Sequence, residues 1–283
     1  MNNKIYISDL DGTLLRNDAS LSSFSKNTLI ELIDRGLIFT VATARSLASI
    51  REILKGLKLN LPVIEFNGAF ISDLETGHHE IINHIKPEIV ESICSLILDY
   101  DCIPFIASFD GKEDRIYYEK ILNQGMLWYL DDRVKQKDKR LRQLKDLRIS
   151  FSEQIVCLTV INRLSKLKQL QAIVNEQYAN SVETHLYENR YFPGWYFFTI
   201  HDRTCTKANA LSILLENYGL QQSETIVFGD HGNDLSMFKV ANRSIAVGNA
   251  IDELKLIATE VINSNQEDSV VQYIYQDWLS HIL

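Results

Sequence analysis

The chain has 283 residues, 46% hydrophobic and 23% charged, enough to bury a sizeable core and to form two domains. A formal net charge of −8 argues against a protein that holds nucleic acid by general electrostatics. No apolar run approaches a membrane span, and the four cysteines (Cys94, Cys102, Cys157, Cys205) form no Cys-x-x-Cys pair, so we expect a cytoplasmic protein with reduced thiols and no membrane partner.

Met1-Asn-Asn-Lys4 leads straight into a strand pattern rather than a signal peptide. That first element, Lys4-Ile-Tyr-Ile-Ser, ends in Asp9-Leu10-Asp11-Gly12-Thr13. Side chains two apart on a strand share a face, so Asp9 and Asp11 are expected to converge at its C-terminal end, where Gly12 lets the backbone turn away. Two carboxylates about 4 Å apart repel by roughly 4 kcal/mol at an effective dielectric near 20. Such a pair calls for a shared proton, a basic side chain or a metal; the alternative is a solvent-exposed acidic turn. An EF-hand loop is excluded, because the places where it needs Gly and Glu hold Leu14 and Ser20.

Leu29, Ile30, Leu32 and Ile33 then mark a helix from Ser25 to Arg35, with Gly36 as its stop. Leu37 to Ala42 has the unbroken apolar character of a central parallel strand; it ends in Thr43-Ala44-Arg45, and a helix follows to about Lys58. Leu61 to Phe66 reads as a third strand ending in Asn67-Gly68, and Asp73 to Gly77 as a hairpin turn. This rhythm predicts an α/β, doubly wound, mostly parallel, Rossmann-like core. From about residue 84 the alternation fades. Helices at 87–100, 120–134 and 165–178 and strands at 103–108, 115–118, 154–161 and 182–187 suggest an inserted α+β domain over 84–195, with 1–83 and 196–283 forming the core. Tyr196 to Ile200 is read as the core resuming, followed by a helix from Lys207. Thr225 to Phe228 runs into Gly229-Asp230-His231-Gly-Asn233-Asp234, then come a strand at 244–247, a turn at 248–250 and a helical C-terminal region.

Asp9/Asp11, Thr43, Lys207 and Asp230/Asn233/Asp234 thus follow strands, or open a helix, of one inferred sheet. In this order they resemble the haloacid dehalogenase superfamily of phosphohydrolases, nearest the Cof-like subgroup (class IIB), which carries a large α/β cap between its second and third motifs. Val247-Gly-Asn-Ala250 and Ser264-Asn-x-Glu-Asp268 also look like that subgroup. The resemblance implies a Mg²⁺-dependent phosphatase of small phosphorylated metabolites, such as sugar phosphates. Asp9 would be the nucleophile that forms an aspartyl-phosphate, and Asp11 the general acid and then base. Mg²⁺ would lie on Asp9, Asp230 and the Asp11 carbonyl. Lys207, Thr43, Asn233 and the amides of Leu10 and Ala44 would receive the phosphate, with Thr13 and Asp234 orienting these groups from behind. Where the family commonly has Gly, this chain has Ala44 and Ala208; a positive φ at Ala44 would be strained.

His79-Glu-Ile-Ile-Asn-His84 misses the zinc-protease spacing by one residue, and no Walker A, Gly-x-Ser-x-Gly or Gly-x-Gly-x-x-Gly motif occurs. The basic stretch Lys135 to Arg148 reads as a solvated face, His231 as a loop-packing histidine, and the aromatics Tyr117, Tyr118, Trp128, Tyr129, Tyr191, Phe192 and Trp195 as cap core with some members lining the site. A phosphomutase sharing the same intermediate and a receiver-like phosphorylatable switch are the rival readings.

Overall fold

The structure, a computed structural model, describes residues 4–282, excepting the side chains of His281 and Ile282. The chain begins β1 (Lys4–Ser8), α1 (Ser23–Asp34), β2 (Ile38–Val41), α2 (Leu47–Ile53), β3 (Val63–Glu65), β4 (Phe70–Ser72) and β5 (His79–Ile82). It continues with α3 (Pro87–Asp99), β6 (Phe105–Phe109), β7 (Asp114–Tyr118), α4 (Gln124–Lys135), β8 (Leu141–Gln143), β9 (Gln154–Asn162), α5 (Leu164–Tyr178), β10 (Val182–Glu188) and β11 (Tyr196–Asp202). Last come α6 (Lys207–Asn217), β12 (Glu224–Gly229), α7 (Leu235–Val240), β13 (Arg243–Ala246), α8 (Asp252–Ile257), β14 (Glu260–Val261) and α9 (Ser269–Ile282).

Residues up to Ile81 and from Thr206 onward form one unit, and Ile82–Cys205 a second. The first holds a five-stranded sheet in the order β14-β13-β12-β1-β2, with every neighbouring pair parallel. Ile5, Tyr6 and Ile7 of β1, an interior strand of this sheet, are wholly buried, as a strand covered on both faces requires. From β1 the chain steps outward to β2, then returns to the other side of β1 and runs on through β12, β13 and β14. The order therefore reverses between β1 and β12. Register pairs Ser8 with Phe228, so Asp9 and Asp230 each lie just past the carboxyl end of neighbouring strands. That is the switch point at which open α/β sheets bind ligands.

The expected third core strand is placed differently. β3 pairs antiparallel with β4 in a separate sheet, β3-β4-β5, and is joined to the end of β2 by an isolated bridge between Ala42 and Ile64. Its extended run is short because Phe66 already takes a positive φ of 48°.

The second unit contains a six-stranded sheet ordered β10-β11-β9-β6-β7-β8, antiparallel except for β7 with β8. Its own apolar cluster includes Phe105, Leu158, Val160, Leu170 and Phe198. Here the expected boundary at residues 195/196 moves. Tyr196–Asp202 is β11, paired along its length with β10 and also with β9, so the crossing into the first unit falls after Cys205. The opening boundary, expected at 83/84, falls after Ile81. The basic stretch from Lys135 is largely exposed, although it includes the short strand β8. All four cysteines are buried free thiols, and no described helix is long and apolar enough to cross a membrane.

Candidate active site

Lys207 is the first residue of α6, behind the N-cap Thr206, whose hydroxyl accepts the Asn209 N–H. A cation at a helix N-terminus opposes the macrodipole, and a lysine is almost never fully buried unless paired. Lys207 is 0% exposed. Its Nζ donates to Asp9 Oδ1 at 2.6 Å and to Asp234 Oδ1 at 2.7 Å, both carboxylates buried. It is therefore not a solvated helix lysine. Burial works against the ammonium, but the charges of Asp234 and Asp9 outweigh it and hold Lys207 above its ordinary range.

Asp230 lies beside this pair. Ligand atoms of Asp9, Asp230 and Asp234 all fall within 4.8 Å of one another. Asp230 Oδ1 accepts from Thr13 Oγ1 at 3.3 Å. The second oxygen of Asp234 accepts the N–H groups of Asp230 and His231, both at 3.0 Å. Asp234 is thus committed to holding Lys207 and the β12 loop. Gly229 leaves room for it, since a Cβ there would lie 2.6 Å from Asp234 Cγ. Three buried carboxylates against one ammonium leave a deficit of positive charge. Burial pushes Asp9 well above the ordinary carboxylate range; Lys207 opposes this, while Asp234 and Asp230 add to it. A hard cation suits such an all-oxygen cluster.

Asp9 and Asp11 are held by different partners. β1 ends at Ser8, so strand alternation no longer governs the two aspartates. Asp9 turns inward to Lys207, whereas Asp11 is gripped by Arg45: Nε donates to Oδ2 and Nη2 to Oδ1, each at 2.6 Å. Arg45 also donates to Ser49 Oγ at 2.9 Å. The sequence noted Arg45 only as the end of a strand. The signal was an arginine two residues past the motif threonine, at the mouth of a strand neighbouring the one before Asp11.

Thr43 is buried just beyond β2, its hydroxyl accepting the Arg45 N–H at 3.2 Å. Ala44 is not among the described residues with positive φ, so the strain foreseen there is absent. Ala208 continues the first turn of α6. The backbone N–H groups of Leu10 and Ala44 meet no protein acceptor among the described residues. Asn233 is oriented by Asn67, whose Oδ1 accepts from its Nδ2 at 3.0 Å. Asn249 donates to the Gly12 carbonyl at 2.7 Å and Asn265 to that of Leu15 at 2.8 Å, so the two downstream motifs tie down the loop after Asp9. His231 is exposed. His79 belongs to β5, where its Nδ1 meets Ser72 Oγ at 2.6 Å, with none of the helical spacing a zinc protease needs.

Fold and site together define a phosphoric monoester hydrolase of the Cof-like type. The chain belongs to the haloacid dehalogenase-like hydrolase family, whose model matches residues 6–274. It is similar to the 5-amino-6-(5-phospho-D-ribitylamino)uracil phosphatase YwtE of Bacillus subtilis, 29% identical with 95% of this chain and 96% of that one covered. The HMP-PP phosphatase of Yersinia enterocolitica is 26% identical, with coverage of 96% and 94%. The subclass IIB sugar phosphatase BT4131 shares the fold with a TM-score of 0.77 over 98% of this chain and 99% of that one, at 20% identity.

Proposed function

We propose that the protein is a Mg²⁺-dependent phosphatase of small phosphorylated metabolites that works through an aspartyl-phosphate on Asp9. The observation that carries this reading is Lys207, wholly buried and bonded to Asp9 and Asp234 with Asp230 alongside. Asp9 attacks phosphorus in line; the bond from phosphorus to the leaving oxygen breaks, and Asp11 gives that oxygen its proton. Asp11 then takes a proton from the water that attacks the aspartyl-phosphate, releasing inorganic phosphate and restoring Asp9. Lys207 offsets the charge of the nucleophile as the anionic substrate approaches. Thr43, Asn233 and the amides of Leu10 and Ala44 donate to the phosphoryl oxygens, a fixed set of dipoles that needs no rearrangement during reaction. Asp9, Asp230 and the Asp11 carbonyl would hold Mg²⁺, which when bound supplies the positive charge the cluster lacks. The relatives named for a phosphoribityl compound and for HMP-PP support a small phosphorylated substrate.

A panel of phosphorylated metabolites assayed for inorganic phosphate, with Mg²⁺ and with chelator, tests this. Asp9→Asn is expected to abolish turnover, and Lys207→Ala to lower kcat by about 10²–10³-fold. Phosphate release by Asp9→Asn at the wild-type rate would refute the nucleophile. Isomer formation without phosphate release would point to a mutase instead.

A further inference from the structure

A strained turn between β3 and β4 touches three parts of the site at once. Phe66 and Asn67 take positive φ angles of 48° and 56°, and Gly68 follows at 107°. A non-glycine residue in this region is uncommon, and for a bulky one such as Phe66 it is a genuine outlier. Strain of this kind persists only where the surroundings over-determine it, and it gathers at functional sites.

The surroundings here are specific. Phe66 N–H donates to the Arg45 carbonyl at 3.1 Å and Asn67 N–H to the Thr43 carbonyl at 2.9 Å, so the turn fixes both ends of the Thr43 loop. Gly68 presses against the start of α6, where an added Cβ would lie 2.7 Å from the Thr206 carbonyl oxygen, one residue before Lys207. Asn67 is 2% exposed as a residue, and its side chain reaches the loop after β12 through its bond with Asn233.

Backbone contacts explain why a turn is present, and glycine at position 67 would serve them with less strain. They do not explain a buried side-chain carbonyl aimed at Asn233. An amide has two N–H donors. With one of them held by Asn67, the plane of the Asn233 amide is fixed and its second N–H is left for a ligand. We infer that Asn67 is a positioning residue for the reaction, presenting Asn233 to the transferring phosphoryl group without touching substrate itself. The inference rests on the phosphate-binding role proposed above for Asn233.

Asn67→Gly isolates the side chain, because it keeps both backbone hydrogen bonds and enters the left-handed region freely. Its thermal midpoint is expected to match or exceed that of the wild type. With a substrate from the metabolite panel, kcat is expected to fall about fivefold to tenfold while KM changes less than twofold, the loss associated with one released hydrogen bond. Asn233→Ala should lose at least as much, and the double variant no more than Asn233→Ala alone. By NMR, the side-chain amide resonances of Asn233 should shift in Asn67→Gly whether or not any substrate is turned over, which separates the hydrogen bond from the reaction. Wild-type kcat in Asn67→Gly beside an impaired Asn233→Ala, or losses that multiply in the double variant, would overturn the positioning role and leave the phosphatase reading intact. Wild-type kcat in Asn233→Ala would remove the phosphate role of Asn233 and the positioning role with it.

Discussion

Arg45 holds both oxygens of Asp11 with the two arms of its guanidinium and is itself braced by Ser49. A planar fork fixes a carboxylate's orientation as well as its position, which a lysine ammonium cannot do. If Asp11 exchanges protons with the leaving group and then with water, that orientation affects both steps. Arg45→Lys, which keeps the charge and loses the fork, is therefore expected to lower kcat about tenfold with little change in KM. Steady-state kinetics check this; a rate equal to the wild type would show that fork geometry is unimportant. Asp9, Lys207 and Asp230 were legible in the sequence because each is a chemically distinctive residue at a strand or helix end, in a recognisable order. Arg45 and Asn67 were not. Their importance lies in a side-chain pairing across 34 residues in one case and a left-handed backbone in the other, and neither leaves a periodic trace.

Among the elements, α9 shows how a helix read only as a helical C-terminal region is pinned. Asp277 accepts from Lys4 Nζ at 3.0 Å, Tyr6 OH at 2.7 Å and Arg243 Nη1 at 2.8 Å, joining α9 to β1 and β13. Burial alone would raise the Asp277 carboxyl, but these donors outweigh it and hold it below its ordinary value. A depressed carboxylate contributes stability above its unfolded value near 3.8 and loses it as pH falls below that. Asp277→Ala is expected to cost about 2–3 kcal/mol at pH 7, with the difference from wild type shrinking below about pH 4. Urea unfolding at both pH values measures this, and a pH-independent difference would show that lost packing, not charge, dominates. Element types were largely legible, because helical spacing and apolar runs survive in any context. Sheet membership was not. Tyr196–Asp202 reads as a strand wherever it pairs, and only register with β9 and β10 assigns it to the second unit.

At the scale of the whole molecule the two units have separate cores and carry different titratable liabilities. His201, in β11, is wholly buried, its Nδ1–H donating to the Val156 carbonyl at 3.1 Å. Burial, aided by the nearby His185 and opposed by that hydrogen bond, lowers its pKa from 6.5 to about 3. The unfolded chain therefore binds a proton that the folded chain refuses. The stability this histidine contributes is complete above pH 6.5 and declines as pH falls toward 3, by about 1.4 kcal/mol per unit. Acidification from pH 6.5 to 5 should thus weaken the second unit by about 2 kcal/mol through this group. The proposed Mg²⁺ ligands, in contrast, all lie in the first unit, where saturation at about a hundred times Kd would add about 2.7 kcal/mol. Tryptophan placement separates the two effects, since Trp278 belongs to the first unit and Trp128 and Trp195 to the second. In Trp278→Phe, the remaining fluorescence transition should move down at pH 5 and respond little to Mg²⁺. With Trp278 as the only tryptophan, Mg²⁺ should raise the transition. Adding His201→Gln to Trp278→Phe should flatten the acid response. Identical shifts for both reporters under both treatments would instead mean that the units unfold as a single cooperative block, with acid and metal acting on the same equilibrium.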